Sequence, residues 1–133
     1  MNDDLAYVRA RVPGYGAYAD ETTRHDSDMR VRAFVGEHLA AARQRLDPLD
    51  ATVASALEAV QMRCMFTDQV FVKKFEHARL DPAMEAGLVR ADRSALALGE
   101  RLETCTTSEL PDVVREIGEQ LDYRISPEPV SAT

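Results

Sequence analysis

The chain has 133 residues, of which 45% are hydrophobic and 29% charged, and these proportions predict one globular domain with a sizeable core. Its formal charge of −7 argues against nucleic acid as the main partner, because phosphate binding needs clustered lysines and arginines. Residues 1–12 carry charges where a signal peptide would be apolar, and no apolar run reaches the roughly 18 residues that span a membrane. The two cysteines, Cys64 and Cys105, lack CxxC spacing. We therefore expect a cytoplasmic protein.

The N-terminal stretch is predicted to be irregular. Residues 3–12 can form a short amphipathic turn, which Pro13 and Gly14 then break. Tyr15 and Tyr18 follow and share one face if the chain is helical there. Tyrosines beside a glycine-rich entry usually pack a loop onto a bundle and keep the hydroxyl near water. We favour that interpretation over a ligand-binding role.

The first long helix is predicted to start at residues 17–20 and to carry a charged ladder beside its core stripe. The ladder consists of Arg24, Asp28 and Arg32, whose four-residue spacing lets the aspartate pair with an arginine on either side. The apolar stripe that follows is Val31, Val35, His38, Ala42 and Leu46. Because the ladder adjoins this stripe, we predict that it is partly buried and holds the entry or a partner chain.

The second helix is predicted to start after Asp50, which is a suitable N-cap, and to carry an apolar stripe at helical spacing. We expect it to reach about Asp68, and then a bend or a second short helix to Leu80. The cluster Val70-Phe71-Val72 is β-branched and aromatic, so the sequence leaves residues 69–80 open between helix and loop.

Two more helices complete the predicted fold. Asp81 followed by Pro82 predicts the start of the third helix, which we expect to end within residues 104–107. Ser108 is the predicted cap of the fourth. The proline-containing tail, residues 126–133, is predicted to be disordered.

The segments together predict an all-α fold, a four-helix antiparallel bundle with an irregular N-terminal entry and a disordered C-terminal tail. Residues 1–125 are expected to form a single helical-bundle domain. The glycines inside the helices are expected to permit close helix crossings.

No motif in the sequence predicts a reaction. A ferritin-like metal site needs Glu-x-x-His on two helices, and none of the three histidines has a glutamate three positions before it. The residues at those positions are Thr22, Val35 and Lys74, before His25, His38 and His77 respectively. The chain also lacks a P-loop, a GxGxxG and a GxSxG. We therefore predict no enzymatic activity, no cofactor and no bound metal.

The entry and the ladder resemble a group of short bacterial proteins that open with Pro-Gly-Tyr-x-x-Tyr and continue with an Arg/Asp/Arg helix. The matching residues are Pro13, Gly14, Tyr15, Tyr18, Arg24, Asp28 and Arg32. Further matches are Asp81 and Asp92, on the third predicted helix, and Phe75-Glu76 before it. The resemblance implies a helical fold and a bacterial cytoplasmic setting, and it carries no activity.

The sequence departs from that group at three places. The group has a glycine where this chain has Ala17, and an arginine is common where this chain has His25. Residues 65–74 lack the Pro-Tyr-Gly-Tyr stretch of the group. Because arginine is not a metal ligand, the resemblance argues against a metal role for His25.

We predict a non-enzymatic helical bundle that self-associates as a scaffold or binds another protein, and we expect a homo-oligomer. The candidate interaction residues are Tyr15, Tyr18, Arg24, Asp28 and Arg32. One alternative is a bundle that binds a metal or small ligand through His25, His38, Asp28 or Asp92. The other is a peripheral membrane protein docking through residues 3–18. That stretch has few basic residues for anionic lipid, so we do not expect a membrane as partner. The negative charge of the chain likewise leads us to expect no nucleic-acid partner.

Overall fold

The structure of the protein is a computed structural model that describes residues 3–65 and 79–125. The described residues form five α-helices and one 3-10 turn, Glu21–Thr23, and contain no β-strand. The helices are α1 Asp3–Arg11, α2 Arg24–Arg45, α3 Ala51–Met65, α4 Pro82–Arg101 and α5 Leu110–Ile125. The all-α prediction is confirmed over this part of the chain.

The predicted count of four helices is wrong, because residues 3–11 form the complete helix α1. This stretch has no glycine or proline, and acidic side chains occupy its first turn and basic ones its last, as the helix dipole favours. A helix this short is marginal alone, so its packing matters. Val8 is fully buried in the core. The irregular part of the entry is confined to residues 12–20.

The four long helices form a ring in which α2 packs against α3 and α4, and α5 packs against the same two helices. Helix α1 packs on α4. The α2–α3 and α4–α5 hairpins are each antiparallel. Between the hairpins the neighbours are parallel, since Phe34 of α2 lies beside Gly99 of α4, and Arg45 bonds to Cys105 beyond it. The order around the ring is therefore α2, α3, α5, α4, whereas a simple up-down ring runs α2, α3, α4, α5.

Helix α2 begins at Arg24, later than the predicted residues 17–20. Ala17 has a φ of 56°, in the left-handed region, and therefore cannot be part of an α-helix. Asp20 then caps the 3-10 turn, because its carboxylate accepts a hydrogen bond from the Thr22 backbone N–H at 2.9 Å. This hydrogen bond lowers the pKa of the Asp20 carboxyl.

The predicted starts of α3 and α4 are confirmed. The Asp50 carboxylate accepts a hydrogen bond from the Thr52 N–H, and the Asp81 carboxylate accepts one from the Met84 N–H, both at 2.9 Å. Pro82 occupies the first position of α4, where its missing N–H is not needed. Short polar side chains before an amphipathic run were therefore sufficient to place both helices.

The connection between α4 and α5 differs from the prediction at both ends. Helix α4 ends at Arg101, before the predicted residues 104–107. Thr106 and Glu109 form a capping box, in which each side chain accepts a hydrogen bond from the other's backbone N–H, at 3.3 and 2.9 Å. The predicted cap at Ser108 is therefore wrong. The bond from the Thr106 N–H lowers the pKa of Glu109.

One hydrophobic core joins all five helices, and two glycines let α2 approach its neighbours closely. A Cβ atom on Gly36 would lie 3.3 Å from Cβ of Cys64 on α3, and one on Gly99 would lie 3.3 Å from the Phe34 ring. The expectation that internal glycines permit close helix crossings is confirmed at these two positions.

Several predictions lie outside the described residues: the course of the chain over residues 66–78, the Phe75-Glu76 match and the disordered tail at 126–133. Within residues 3–65 and 79–125, no helix has the length and apolar character needed to cross a membrane.

Candidate functional site

The irregular entry brings its two tyrosines together. Gly14, just before Tyr15, adopts a φ of 83°, and Ala17, between Tyr15 and Tyr18, adopts a φ of 56°. These two left-handed residues turn the chain on either side of Tyr15. The rings of Tyr15 and Tyr18 meet edge to face, with their centroids 6.2 Å apart. The backbone conformation of the entry therefore aims both hydroxyl groups at one place.

That place is the carboxylate of Asp92 on α4. The hydroxyls of Tyr15 and Tyr18 both donate to its Oδ2, at 2.7 and 2.6 Å. Tyr18 and Asp92 have no exposed surface. Hydrogen bonds to a charged acceptor are shorter and stronger than those between neutral groups. The prediction that the tyrosine hydroxyls stay near water is wrong, because a buried carboxylate supplies their acceptor.

The charged ladder of α2 is also buried. The side chains of Asp28 and Arg32 are each 1% exposed, and Nε of the arginine lies 3.1 Å from both carboxylate oxygens. Nη1 of Arg32 donates to the backbone carbonyl of Arg63, at 2.7 Å, near the end of α3. The pair therefore joins α2 to α3 through a backbone carbonyl of α3.

The first turn of α2 grips the entry. Nε of Arg24 donates to the backbone carbonyl of Tyr18 at 2.8 Å. The Ser27 hydroxyl donates to the Ala17 carbonyl at 2.9 Å and accepts a hydrogen bond from the Gly16 N–H at 3.2 Å. The prediction that the ladder is buried and holds the entry is confirmed by these contacts. Ser27 was missed, although its place on the buried face, three residues after Arg24, could have indicated it.

The buried network balances its charges. Arg24, Asp28, Arg32 and Asp92 are at most 5% exposed, and two of them are positive and two negative. Burying an ion costs several kcal/mol unless a partner and hydrogen bonds offset the loss of water. Asp28 meets that requirement through its ion pair with Arg32, and Oδ2 of Asp92 receives two tyrosine hydroxyls. Together with the bonds of Arg24 and Arg32 to backbone carbonyls, these contacts join the entry to three helices. The predicted interaction role of these residues stays a prediction, and their side chains lie in the interior.

A second tyrosine–carboxylate contact joins α1 to α4 nearer the surface. The Tyr7 hydroxyl donates to Oε1 of Glu100 at 2.6 Å, and Nε of Arg11 donates to the same oxygen at 2.7 Å. The Arg11 guanidinium also lies 3.5 Å from the centre of the Tyr7 ring. The Tyr7 bond, followed by Arg11, lowers the pKa of Glu100. Burial, followed by the bond to Glu100, raises the pKa of Tyr7.

Within the described ranges, no group of three His, Cys, Asp or Glu side chains is placed to hold a metal ion. The metal alternative therefore has no ligand cluster there. His25 is exposed on α2. The His38 ring lies 2.8 Å from the Phe34 carbonyl and 3.0 Å from Oε1 of Glu103. It therefore makes two polar contacts, and it links α2 to the turn after α4.

The membrane alternative relied on apolar residues in the stretch 3–18. The structure directs these side chains into the core, since Val8, Val12, Tyr15 and Tyr18 are each at most 5% exposed. A stretch that packs on α4 in this way presents its charged face outward. Its apolar residues stabilise the bundle.

An apolar groove runs between α2 and α3 on the outside of the bundle. It encloses about 430 Å³, and its lining includes three small residues of α2, Ala33, Gly36 and Ala40. Met65 lines its α3 side and is 65% exposed, and Met62, three residues earlier, is 51% exposed but lies outside the lining. Among the side chains described, those of residues 3–65 and 79–122, they are the only large hydrophobic ones that are exposed. The groove was not predicted from the sequence, although Met65 lies off the apolar stripe of α3.

Comparison of the chain with family models, with curated proteins and with solved structures found no match. The resemblance to the bacterial Pro-Gly-Tyr-x-x-Tyr proteins therefore stays a prediction.

Proposed function

We propose that the protein is a non-enzymatic helical-bundle module that works in the cytoplasm by binding a protein partner. The partner is a second copy of the chain or another protein that presents an apolar helix. The observation that carries this proposal is the groove between α2 and α3, because contiguous exposed apolar surface on a folded domain usually marks an interaction site.

The buried network supports the non-enzymatic part of the proposal. Its polar groups include a carboxylate with two tyrosine hydroxyls, Asp92 with Tyr15 and Tyr18, which are groups that enzymes use for proton transfer. In this chain they contact one another at the junction of the entry and the bundle, and all three are buried. Their arrangement stabilises the fold, and partner recognition falls to the apolar surface outside it.

The lining of the groove indicates the kind of partner. Ala33, Gly36 and Ala40 lie at spacings of three and four on α2, so they form one shallow strip. Small residues at such spacing allow a second helix to approach closely, and methionines adapt their shape to the surface that covers them. An amphipathic helix fits a surface of this composition better than an extended peptide or a small polar molecule.

A site-specific crosslinking experiment tests the proposal. A photoreactive amino acid is placed at position 33, in the groove, and separately at Ala97, which is exposed on α4. After illumination of cells of the native host, position 33 should give one discrete crosslinked species and position 97 should not. Equal labelling from the two positions, or no discrete product from position 33, would contradict the proposed function.

A further inference from the structure

We infer that the occupant of the α2–α3 groove is a second copy of this chain, so that two bundles pack groove to groove as a symmetric dimer. The inference rests on the proposed function and specifies its partner. It is carried by three features of this face: its shape, its charge and its length.

The face contains both halves of a complementary contact. Met65 projects from α3 at the edge of the groove, while Ala33, Gly36 and Ala40 form a shallow strip on the neighbouring α2. A twofold dimer uses the same patch on both chains, so residues that project must lie beside residues that receive them. Met65 of one copy can then lie over the small residues of the other, and the reverse contact forms at the same time.

The charge distribution permits two copies to meet at this face. The hairpin 24–65, which contains α2 and α3, has six arginines and six carboxylates and a formal charge of zero. The hairpin 79–125, on the other side of the ring, has six arginines against ten carboxylates and a formal charge of −4. Packing through α2 and α3 therefore places the acidic hairpins of the two copies away from each other, which limits repulsion between two chains of charge −7.

The surface is long enough for helix packing. A second hollow of about 480 Å³ adjoins the first, and the two share Ala40 and Gln61. Together they follow α2 from Met29 to Gln44, which is about 22 Å, or roughly four turns, at 1.5 Å per residue. Helix packing needs side-chain rows over several turns, and this seam provides them.

Sedimentation equilibrium of the purified full chain tests the inference. At concentrations from roughly 1 to 500 µM the mass should rise from the monomer's 14.8 kDa toward twice that value. Ala33→Glu places a charge in the groove and should weaken association at least about tenfold. Ala97→Glu makes the same change on an exposed position of α4 and should associate like the wild type.

A second variant protects the test against a misfolded protein. Met65→Gln keeps an unbranched side chain at a position that is 65% exposed, and it should weaken association less than Ala33→Glu with an unchanged urea midpoint. A wild-type chain that stays at the monomer mass over the whole range would overturn the inference. Association that survives both groove variants would overturn it as well.

The crosslinking experiment distinguishes this failure from failure of the proposed function. A monomeric chain whose position 33 crosslinks to a different protein leaves the interaction module standing and removes only the dimer. A monomeric chain without any discrete crosslink removes both. A crosslinked species with the mass of two chains, formed from position 33 and not from position 97, supports both.

Discussion

Helix α2 carries two Asp–Arg pairs with the same spacing, two residues apart, in opposite environments. Asp26 and Arg30 are 56% and 45% exposed, whereas the side chains of Asp28 and Arg32 are each 1% exposed. The exposed pair has the shorter contact, 2.6 Å against 3.1 Å. Distance alone is therefore a poor guide to the role of an ion pair. The exposed pair is screened by water, while the buried one determines how the surrounding chain must pack.

The same contrast occurs between the two tyrosine–carboxylate contacts on α4. Asp92 receives Tyr15 and Tyr18 in the interior, and Glu100 receives Tyr7 at a position where its side chain is 38% exposed. In both cases a residue of the N-terminal region donates to a carboxylate of α4. Burial again separates a contact that organises the fold from one that adds to it. When a donor is removed, water can replace it at the exposed carboxylate and cannot replace it at the buried one.

The largest difference is expected between Asp28→Ala and Asp26→Ala. The first change leaves the Arg32 guanidinium buried beside an apolar methyl group, and it should lower the free energy of unfolding by about 3 kcal/mol. The second removes an exposed pair of the same spacing and should lower it by under about 1 kcal/mol. Urea unfolding of both variants measures the difference. Similar values for the two variants would show that burial does not distinguish the pairs.

A smaller difference is expected between Tyr18→Phe and Tyr7→Phe. Removal of the Tyr18 hydroxyl deprives a fully buried carboxylate of one donor, which should reduce stability by about 1 to 3 kcal/mol. Removal of the Tyr7 hydroxyl leaves Glu100 with Arg11 and water, and should reduce stability by under about 1 kcal/mol. Thermal unfolding at one protein concentration compares them. A larger loss for Tyr7→Phe would reverse the assignment of the two contacts.

The entry itself offers a change that should stabilise the protein. Ala17 has a left-handed backbone, which an alanine adopts at some energetic cost and a glycine adopts freely. Ala17→Gly should therefore raise the free energy of unfolding by up to about 1 kcal/mol. Ala19→Gly lies two residues further along the same entry, where the left-handed conformation is not present, and should give no gain. Urea midpoints of the two variants decide the matter, and a loss of stability in Ala17→Gly would argue against strain at this position.

The smallest effect concerns the pH dependence of the Glu100 contact. The bonds from Tyr7 and then Arg11 lower the pKa of Glu100 in the folded chain below its ordinary value of 4.5. The contribution of this carboxylate is therefore present above pH 4.5 and is lost as the pH falls through the folded pKa. Glu100→Gln should be less stable than the wild type at pH 7 by under about 1 kcal/mol, and the gap should close at acidic pH. A gap that widens on acidification would contradict the lowered pKa.

Much of the bundle could be predicted from the sequence because its helix starts use short, local rules. Asp50 and Asp81 cap their helices as expected, and the four-residue ladder beside an apolar stripe correctly indicated burial of Asp28. The capping box at Thr106 and Glu109 was missed in favour of Ser108, although its spacing was visible in the sequence.

Other features depend on tertiary structure and could not be predicted. The spacing of Asp26 and Arg30 is identical to that of the buried pair, so spacing alone does not separate the two pairs, and only their position relative to the apolar stripe does. Helix α1 is stabilised by packing on α4, and the left-handed backbone of Ala17 follows from the shape of the whole entry. The groove arises only when α2 and α3 are placed side by side.

The central claim is that the buried network holds the fold while the α2–α3 face binds the partner, and one crossed measurement tests it. Sedimentation equilibrium and urea unfolding are measured for Tyr18→Phe and Ala33→Glu. Tyr18→Phe should lose stability and, where folded, associate like the wild type, whereas Ala33→Glu should keep its stability and associate at least about tenfold more weakly. The opposite pattern, with Tyr18→Phe stable but monomeric and Ala33→Glu still dimeric, would contradict the account and return the partner surface to the entry.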